Sequence, residues 1–483
     1  MLTVRPVMFI CGWLLLVLAG AMIFPALVDL GARNPDWAVF VLAAAVTAFI
    51  GGAMVLATRT SRMPPLTRRQ GFLLTTLAWL LLSLAGSFPL LFYGGGLGFA
   101  DAFFETVSGL TTTGSTVMTG LESLPPGILI WRALLQWVGG VGIVVMAMIM
   151  LPFLGVGGMQ LFQTESSERS ERVTPRAREL VSHIVAIYFA LTFACFLTYR
   201  LLGMSAFDAV VHAMTTLSTG GYSTHDASFG WFGSPALEWA AVVFMLSGGI
   251  PFVAYIRAVN GQWRAFFGDV QVRAFIAFLA LASLVVAIWL MALGTAGFEP
   301  ALRKAAFHVV SIVTTTGYAT EDYSLWHAFA VGMFFALTFI GGCTGSTAGG
   351  IKIYRHQILW LTVKSYARRL ARPHRVERVT YGGRPVDREV EASVLAFLAV
   401  YVGAFSVAAV LLTMLGLDLV TALSAAATAL GNVGPGLGDI VGPAGNFRDL
   451  PDLAKWILSG TMLLGRLELF TLLVLLDPGF WRN

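Results

Sequence analysis

Leu110-Thr111-Thr112-Thr113-Gly114 decides how this chain is read, because three later segments repeat its plan. They are Leu217-Ser218-Thr219-Gly220-Gly221, Val313-Thr314-Thr315-Thr316-Gly317 and Leu430-Gly431-Asn432-Val433-Gly434. Their last glycines are 107, 96 and 117 residues apart (221−114, 317−221, 434−317). A short apolar piece precedes each, near 100–110, 206–217, 299–313 and 418–430, too short to cross a bilayer. A full apolar span follows each. One such turn is an ordinary polar connection, but four in register are a repeated unit.

Composition sets the surroundings. The chain has 483 residues, 57% hydrophobic and 12% charged, with mean hydropathy +0.78, which places it in the membrane class. Apolar segments near 7–30, 37–57, 71–93, 128–153, 180–202, 236–258, 273–294, 325–361, 392–416 and 452–477 are read as ten candidate spans. The first is too long for a signal-peptide core and is read as a retained helix. The 325–361 segment is broken by the Gly-rich run 341–350. The expected fold is therefore all-α: about ten transmembrane helices plus four re-entrant pore helices, in pseudo-fourfold repeats like a fused tetrameric channel. The expected organisation is a two-helix leader at 1–57 and repeats at 71–160, 180–260, 273–362 (its second helix broken) and 392–478. The repeats share one direction, unlike the inverted repeats of many secondary transporters.

Basic residues gather in alternate connectors: Arg59, Arg62, Arg68 and Arg69; Arg169, Arg172, Arg176 and Arg178; Arg257, Arg264 and Arg273; then Lys364, Arg368, Arg369, Arg372, Arg375, Arg378, Arg384 and Arg388. The positive-inside rule puts these connectors and both termini in the cytoplasm, so the Thr/Gly loops enter from outside. Irregular backbone at membrane depth must be buried or line water.

Aligned, the loops stack oxygen atoms. Thr112, Thr219, Thr315 and Asn432 form one expected layer. The carbonyls of Thr113, Gly220, Thr316 and Val433 form a second, and Gly114, Gly221, Gly317 and Gly434 a third. A ring of carbonyls and hydroxyls replaces the water shell of a dehydrated potassium ion. Asp101 and Asp208, each 13 residues before a loop glycine, suit the positive ends of their short helices; the third repeat departs, with Lys304 in that place and Glu299 further out. Arg466, in an apolar helix, is read as an electrostatic barrier below the loops, with pairing to Glu468 or snorkelling as the plainer account. The run 341–350 is read as an obstruction at the same depth, or else a simple kink.

Other chemistry is not supported. No Ser-His-Asp spacing, P-loop or strand-borne Gly-x-Gly-x-x-Gly occurs, so no catalytic residues and no enzyme activity are expected. His212 and His308, each nine residues before a loop glycine, are read as hydrogen-bonding groups rather than metal ligands. Cys11, Cys195 and Cys343 have no paired spacing and are read as buried thiols. Val138-Gly139-Gly140-Val141-Gly142 is read as a close-packing stretch.

On these loops, on Gly341-Gly342-Cys343-Thr344-Gly345-Ser346-Thr347-Ala348-Gly349-Gly350-Ile351-Lys352 and on Gly465-Arg466-Leu467-Glu468, the chain resembles the Trk/Ktr/HKT superfamily of potassium transporters. Its two extra N-terminal spans resemble the TrkH-type membrane subunit of bacterial Trk potassium uptake systems. The resemblance implies a potassium filter at Thr111, Thr112, Thr113, Gly114, Ser218, Thr219, Gly220, Gly221, Thr314, Thr315, Thr316, Gly317, Gly431, Asn432, Val433 and Gly434. It implies a gate at Gly345, Ser346, Thr347, Gly349, Gly350 and Arg466. It also implies the bacterial inner membrane, a homodimer within membrane lipid and a cytosolic TrkA-type nucleotide-binding ring; no covalent cofactor and no nucleic acid is expected. The connectors 163–179 and 363–391 are the expected docking surfaces. In the family, serine at the first filter glycine accompanies sodium permeability; here that residue is Gly114, which favours potassium. The Asn432-Val433-Gly434-Pro435 loop departs from the Thr-rich pattern, so weaker selectivity than a true potassium channel is expected. A proton- or sodium-coupled potassium symporter is the alternative.

Overall fold

The computed structural model describes residues 4–60, 66–154, 173–294, 296–372 and 378–482. Arg62, Arg169, Arg172 and Arg375, and residues 163–172 of the expected docking connector, lie outside the described residues. The described residues are almost entirely helical, with one two-stranded antiparallel hairpin pairing Thr380–Tyr381 with Arg384–Pro385.

Seven helices among the described residues are long and apolar enough to cross a membrane: Arg5–Gly31, Trp37–Thr58, Arg68–Phe92, Pro126–Met146, Glu179–Leu201, Val270–Ala292 and Arg388–Met414. Two more of the ten expected spans are bent rather than straight. Pro235–Gly249 and Phe252–Val259 meet at 97°, and Asp452–Arg466 and Phe470–Leu476 at 110°. The first bend has a covalent cause: Pro251 has no amide hydrogen to continue the helical ladder. At the second, Glu468 (φ 59°) and Leu469 (φ 55°) adopt left-handed backbone. The remaining segment, 325–361, divides into His327–Leu337, an irregular stretch and Ile353–Ala371.

Between the long helices lie four short ones, Phe99–Leu110, Ala206–Leu217, Phe298–Val313 and Leu419–Gly431. Two apolar clusters hold them. Ala209, Leu217, Phe307 and Val313 pack in one cluster, which also takes in Val144 and Val433. Phe104, Leu110, Ala422 and Ala429 pack in another with the N-terminal helices and the helix at 452–466.

The N-terminal pair is locked by small residues. Gly12 and Gly51 face each other so closely that a Cβ on either would lie 2.8 Å from the other's carbonyl oxygen. Close backbone approach is how helices gain packing contact in lipid. Buried Asp29 then reaches across the fold: its Oδ1 accepts from the Gly127 N–H at 2.6 Å, at the start of the helix Pro126–Leu154. A carboxylate there meets the positive helix end and an otherwise orphan donor.

Leucine at position 51 should therefore cost about 1–3 kcal/mol of overpacking. Gly51→Leu should melt earlier than wild type in detergent, whereas Gly52→Leu, with open space at that glycine, should not; equal melting temperatures would contradict the close-crossing account.

Candidate ion pathway

The four short helices end in the same way. Each is followed by a residue with left-handed backbone: Thr112 (φ 53°), Thr219 (52°), Thr315 (58°) and Asn432 (54°). The next N–H then folds back to a carbonyl five residues earlier: Thr113 to Ser108 at 2.8 Å, Gly220 to Thr215 at 2.9 Å, Thr316 to Ser311 at 2.8 Å and Val433 to Thr428 at 3.0 Å. This is a left-handed helix C-cap, usually made by glycine. Threonine is β-branched and adopts this conformation at a cost, so three threonines here mark a site whose surroundings force the geometry.

Two residues on, Gly114, Gly221, Gly317 and Gly434 also have positive φ. Their neighbours close a ring. A Cβ on Gly114 would lie 2.2 Å from the Gly220 oxygen, one on Gly221 1.8 Å from Thr316 O, one on Gly317 2.2 Å from Val433 O, and one on Gly434 2.8 Å from Thr113 O. Each loop thus abuts the carbonyl of the next, and the fourth abuts the first. Any side chain at these positions would enter the backbone of a neighbouring loop. Ser115 Oγ also donates to Gly434 O at 2.8 Å, and Asn432 Nδ2 to Thr113 Oγ1 at 3.0 Å, across the seam between the two ends of the chain. All four glycines line one cavity of about 230 Å³, which also meets Asp226, Asn446 and Phe447.

The hydroxyl layer differs from the expected ring of free oxygens. Thr219 Oγ1 bonds Ser218 O at 2.7 Å and Thr347 Oγ1 at 3.2 Å, and Thr315 Oγ1 accepts from Gly349 N–H at 2.7 Å. Asn432 Nδ2 also donates to Met462 O at 3.0 Å. Among the described residues, the oxygens of this layer that are buried without a partner are the Thr112 hydroxyl and the Asn432 side-chain carbonyl. Thr219 and Thr315 bind protein because the stretch 341–350 packs directly against them. Thr111 and Thr113 join hydroxyls at 2.7 Å, and Thr314 and Thr316 at 2.8 Å, whereas Gly431 and Val433 have no hydroxyls to do so.

The 341–350 stretch is tied down from several sides. Thr347 Oγ1 donates toward Leu217 O at 3.1 Å and Gly248 O at 3.0 Å, Cys343 N–H bonds Gly249 O at 3.0 Å, and Gly345 O accepts from Phe252 N–H at 3.0 Å. Buried Arg466 donates to Thr347 O at 3.0 Å and to Gly139 O at 3.3 Å. Neither plain account of Arg466 holds: it does not snorkel, and Glu468 pairs instead with Arg355. Lys352 Nζ binds Ala348 O, within the same stretch. The Ser346 hydroxyl donates to Cys343 O at 2.6 Å, closing a local turn. Gly350 is left-handed (φ 67°) where the chain turns into Lys352 and the next helix.

The other expected polar residues brace the loops. Asp101 pairs with buried Lys455 at 2.5 Å, and Asp208 accepts from Ser205 and Thr224 hydroxyls, each at 2.6 Å. His212 and His308 repeat one device: Nδ1 lies 2.8 Å from the carbonyl four residues back, and Nε2 meets Ser223 Oγ at 3.0 Å or the Thr320 N–H at 3.2 Å. No group of three or more His, Cys, Asp or Glu side chains able to hold a metal occurs among the described residues.

The model of the TrkH family, described as a cation transport protein, matches residues 38–478. The chain belongs to the TrkH family. The Trk system potassium uptake protein TrkI of Halomonas elongata is 46% identical over 99% of this chain and 97% of its own length. The Trk system potassium uptake protein TrkH of Vibrio parahaemolyticus is 40% identical, with 99% of each chain covered. The crystal structure of the potassium transporter TrkH from Vibrio parahaemolyticus superposes with a TM-score of 0.92 over 100% of both chains, at 38% identity. These relatives are named for transport, not for an enzymatic reaction.

Sequence reading missed two buried features beside the ring. Glu105 receives Arg132 Nε at 2.8 Å, the Thr116 hydroxyl at 2.9 Å and the Val117 N–H at 2.9 Å. Arg132 also donates to Ser223 O at 3.1 Å and lies 4.1 Å over the Tyr222 ring. The pair joins the C-terminal ends of the first and second loops. The signal was available, since an acid in a short apolar helix and a base in a span are both costly unless paired. The second feature, Gln136, bonds the second loop. Arg132→Ala would leave Glu105 buried and uncompensated, costing about 3–5 kcal/mol. Its melting in detergent should fall well below that of Glu105→Gln/Arg132→Met, and equal melting would contradict the pairing.

Proposed function

We propose that the chain carries potassium ions into a bacterial cell across the inner membrane, passing them through the ring formed by the four Thr/Gly loops. The supporting observation is the cyclic contact in which each loop glycine abuts the carbonyl of the next loop, with the fourth returning to the first. Carbonyls of Thr113, Gly220, Thr316 and Val433, with the unpartnered side-chain oxygens of Thr112 and Asn432, replace water around the ion. The short helices aim their negative C-terminal ends at the same place. The relatives named as potassium uptake proteins support potassium as the ion. An inside-negative potential contributes about 2.3 kcal/mol per charge per 100 mV, so inward movement requires no chemistry in this chain.

The stretch containing Gly345, Ser346, Thr347, Gly349 and Gly350 acts as the gate, with Arg466 as its electrostatic part. Its bonds to Thr219 and Thr315 support this reading, because they hold it against the layer behind the ring carbonyls. A buried cation there repels an ion in transit more strongly than it would in water. The gate opens when this stretch leaves its carbonyl contacts. A cytosolic TrkA-type nucleotide-binding ring controls that step from the basic face around 363–391, and two copies of the chain form the working dimer.

Gly221→Ser should lower potassium selectivity or flux in proteoliposomes, since its Cβ alone would meet Thr316 O; unchanged selectivity and flux would count against the filter. Arg466→Ala should raise potassium flux, whereas reduced flux from a normally folded variant would remove the barrier role.

A further inference from the structure

Gln136 lies fully buried on the helix Pro126–Leu154, directly behind the second loop. Its amide makes two bonds that straddle Gly221. Nε2 donates to Gly220 O at 2.6 Å, and Oε1 accepts from the Tyr222 N–H at 3.0 Å. Gly220 O is one of the four ring carbonyls. Among the described residues, the equivalent carbonyls of Thr113, Thr316 and Val433 have no side-chain donor.

The second loop needs this support because of its sequence. Loops one and three brace themselves through the hydroxyl pairs Thr111–Thr113 and Thr314–Thr316. Loop two has glycine at that position, and glycine is required there: a Cβ on Gly220 would lie 2.4 Å from the Gln136 amide carbon. Gln136 and Gly220 therefore form a matched pair, with the amide occupying the space and the role of the missing threonine.

We propose that Gln136 is a specificity-determining positioning residue, which fixes the Gly220 carbonyl and the Gly221 turn so that the ring resists closing around an ion smaller than potassium. The inference rests on the filter reading above. A carbonyl held by an outside donor is less free to move inward, and a ring that cannot contract coordinates sodium poorly.

The test is the potassium-to-sodium permeability ratio, from reversal potentials of purified protein in proteoliposomes. Gln136→Leu should lower the ratio by about fivefold or more, the scale of one lost buried hydrogen bond. Gln136→Met, which keeps the side chain's length but offers neither bond and no charge, should shift the ratio the same way, and decides the matter if the leucine variant does not fold. Gln136→Ala/Gly220→Thr, which gives loop two the hydroxyl pattern of its neighbours, should recover part of the ratio. A purely structural role would lower the yield of folded protein without moving the ratio. An unchanged ratio in folded variants of a selective wild type overturns this inference alone. A wild type that does not discriminate potassium from sodium overturns it together with the filter reading.

Discussion

Four backbone turns meeting where there is no room for side chains is the constraint from which the rest of the structure follows. The glycines at 114, 221, 317 and 434 each abut a carbonyl of the neighbouring loop, so the loops hold one another in place. Three of the four left-handed caps strain a threonine that would relax in an isolated helix, whereas Asn432 tolerates this backbone. Burial of the short helices in two apolar clusters supplies the restraint. The cost falls at the place where, on the reading proposed here, carbonyls rather than water must surround an ion.

The four units share a backbone plan but differ in their supports. Hydroxyl pairs brace loops one and three. An amide from a spanning helix braces loop two, and in loop four Asn432 reaches across to Thr113 and Met462. Behind them the polar groups also differ: Glu105 pairs with Arg132 beside the first loop, Lys304 with Glu321 beside the third, and Arg303 with Glu238 on the helix that follows the second. A single chain can vary each quarter of a ring independently, which four identical subunits cannot do. The stretch 341–350 exploits this freedom: it enters from one unit only and bonds the layer below the ring at Thr219 and Thr315.

The fold class was legible because membrane-length apolar runs and glycine-terminated threonine turns each have a direct physical meaning in sequence. The family was legible from the same residues. Straightness was not. The segments 236–258 and 452–477 read as continuous apolar spans, yet Pro251 and the left-handed Glu468 and Leu469 bend them sharply. Pro251 carried a usable signal, whereas nothing local marks Leu469. Partner choice was equally hidden. Arg466 lies two residues from Glu468 but donates to Thr347 and Gly139, while Glu468 takes Arg355, 113 residues away. Gln136 reads as one polar residue in a long helix, and its meaning depends on a loop 84 residues later.

The most direct test of the central claim is to locate the ion. Crystals grown in rubidium, a heavy stand-in for potassium, would show bound ions by anomalous scattering. The account predicts density on the central axis, within coordinating distance of the Thr113, Gly220, Thr316 and Val433 carbonyls. Rubidium bound elsewhere in the protein with none between these carbonyls would contradict it.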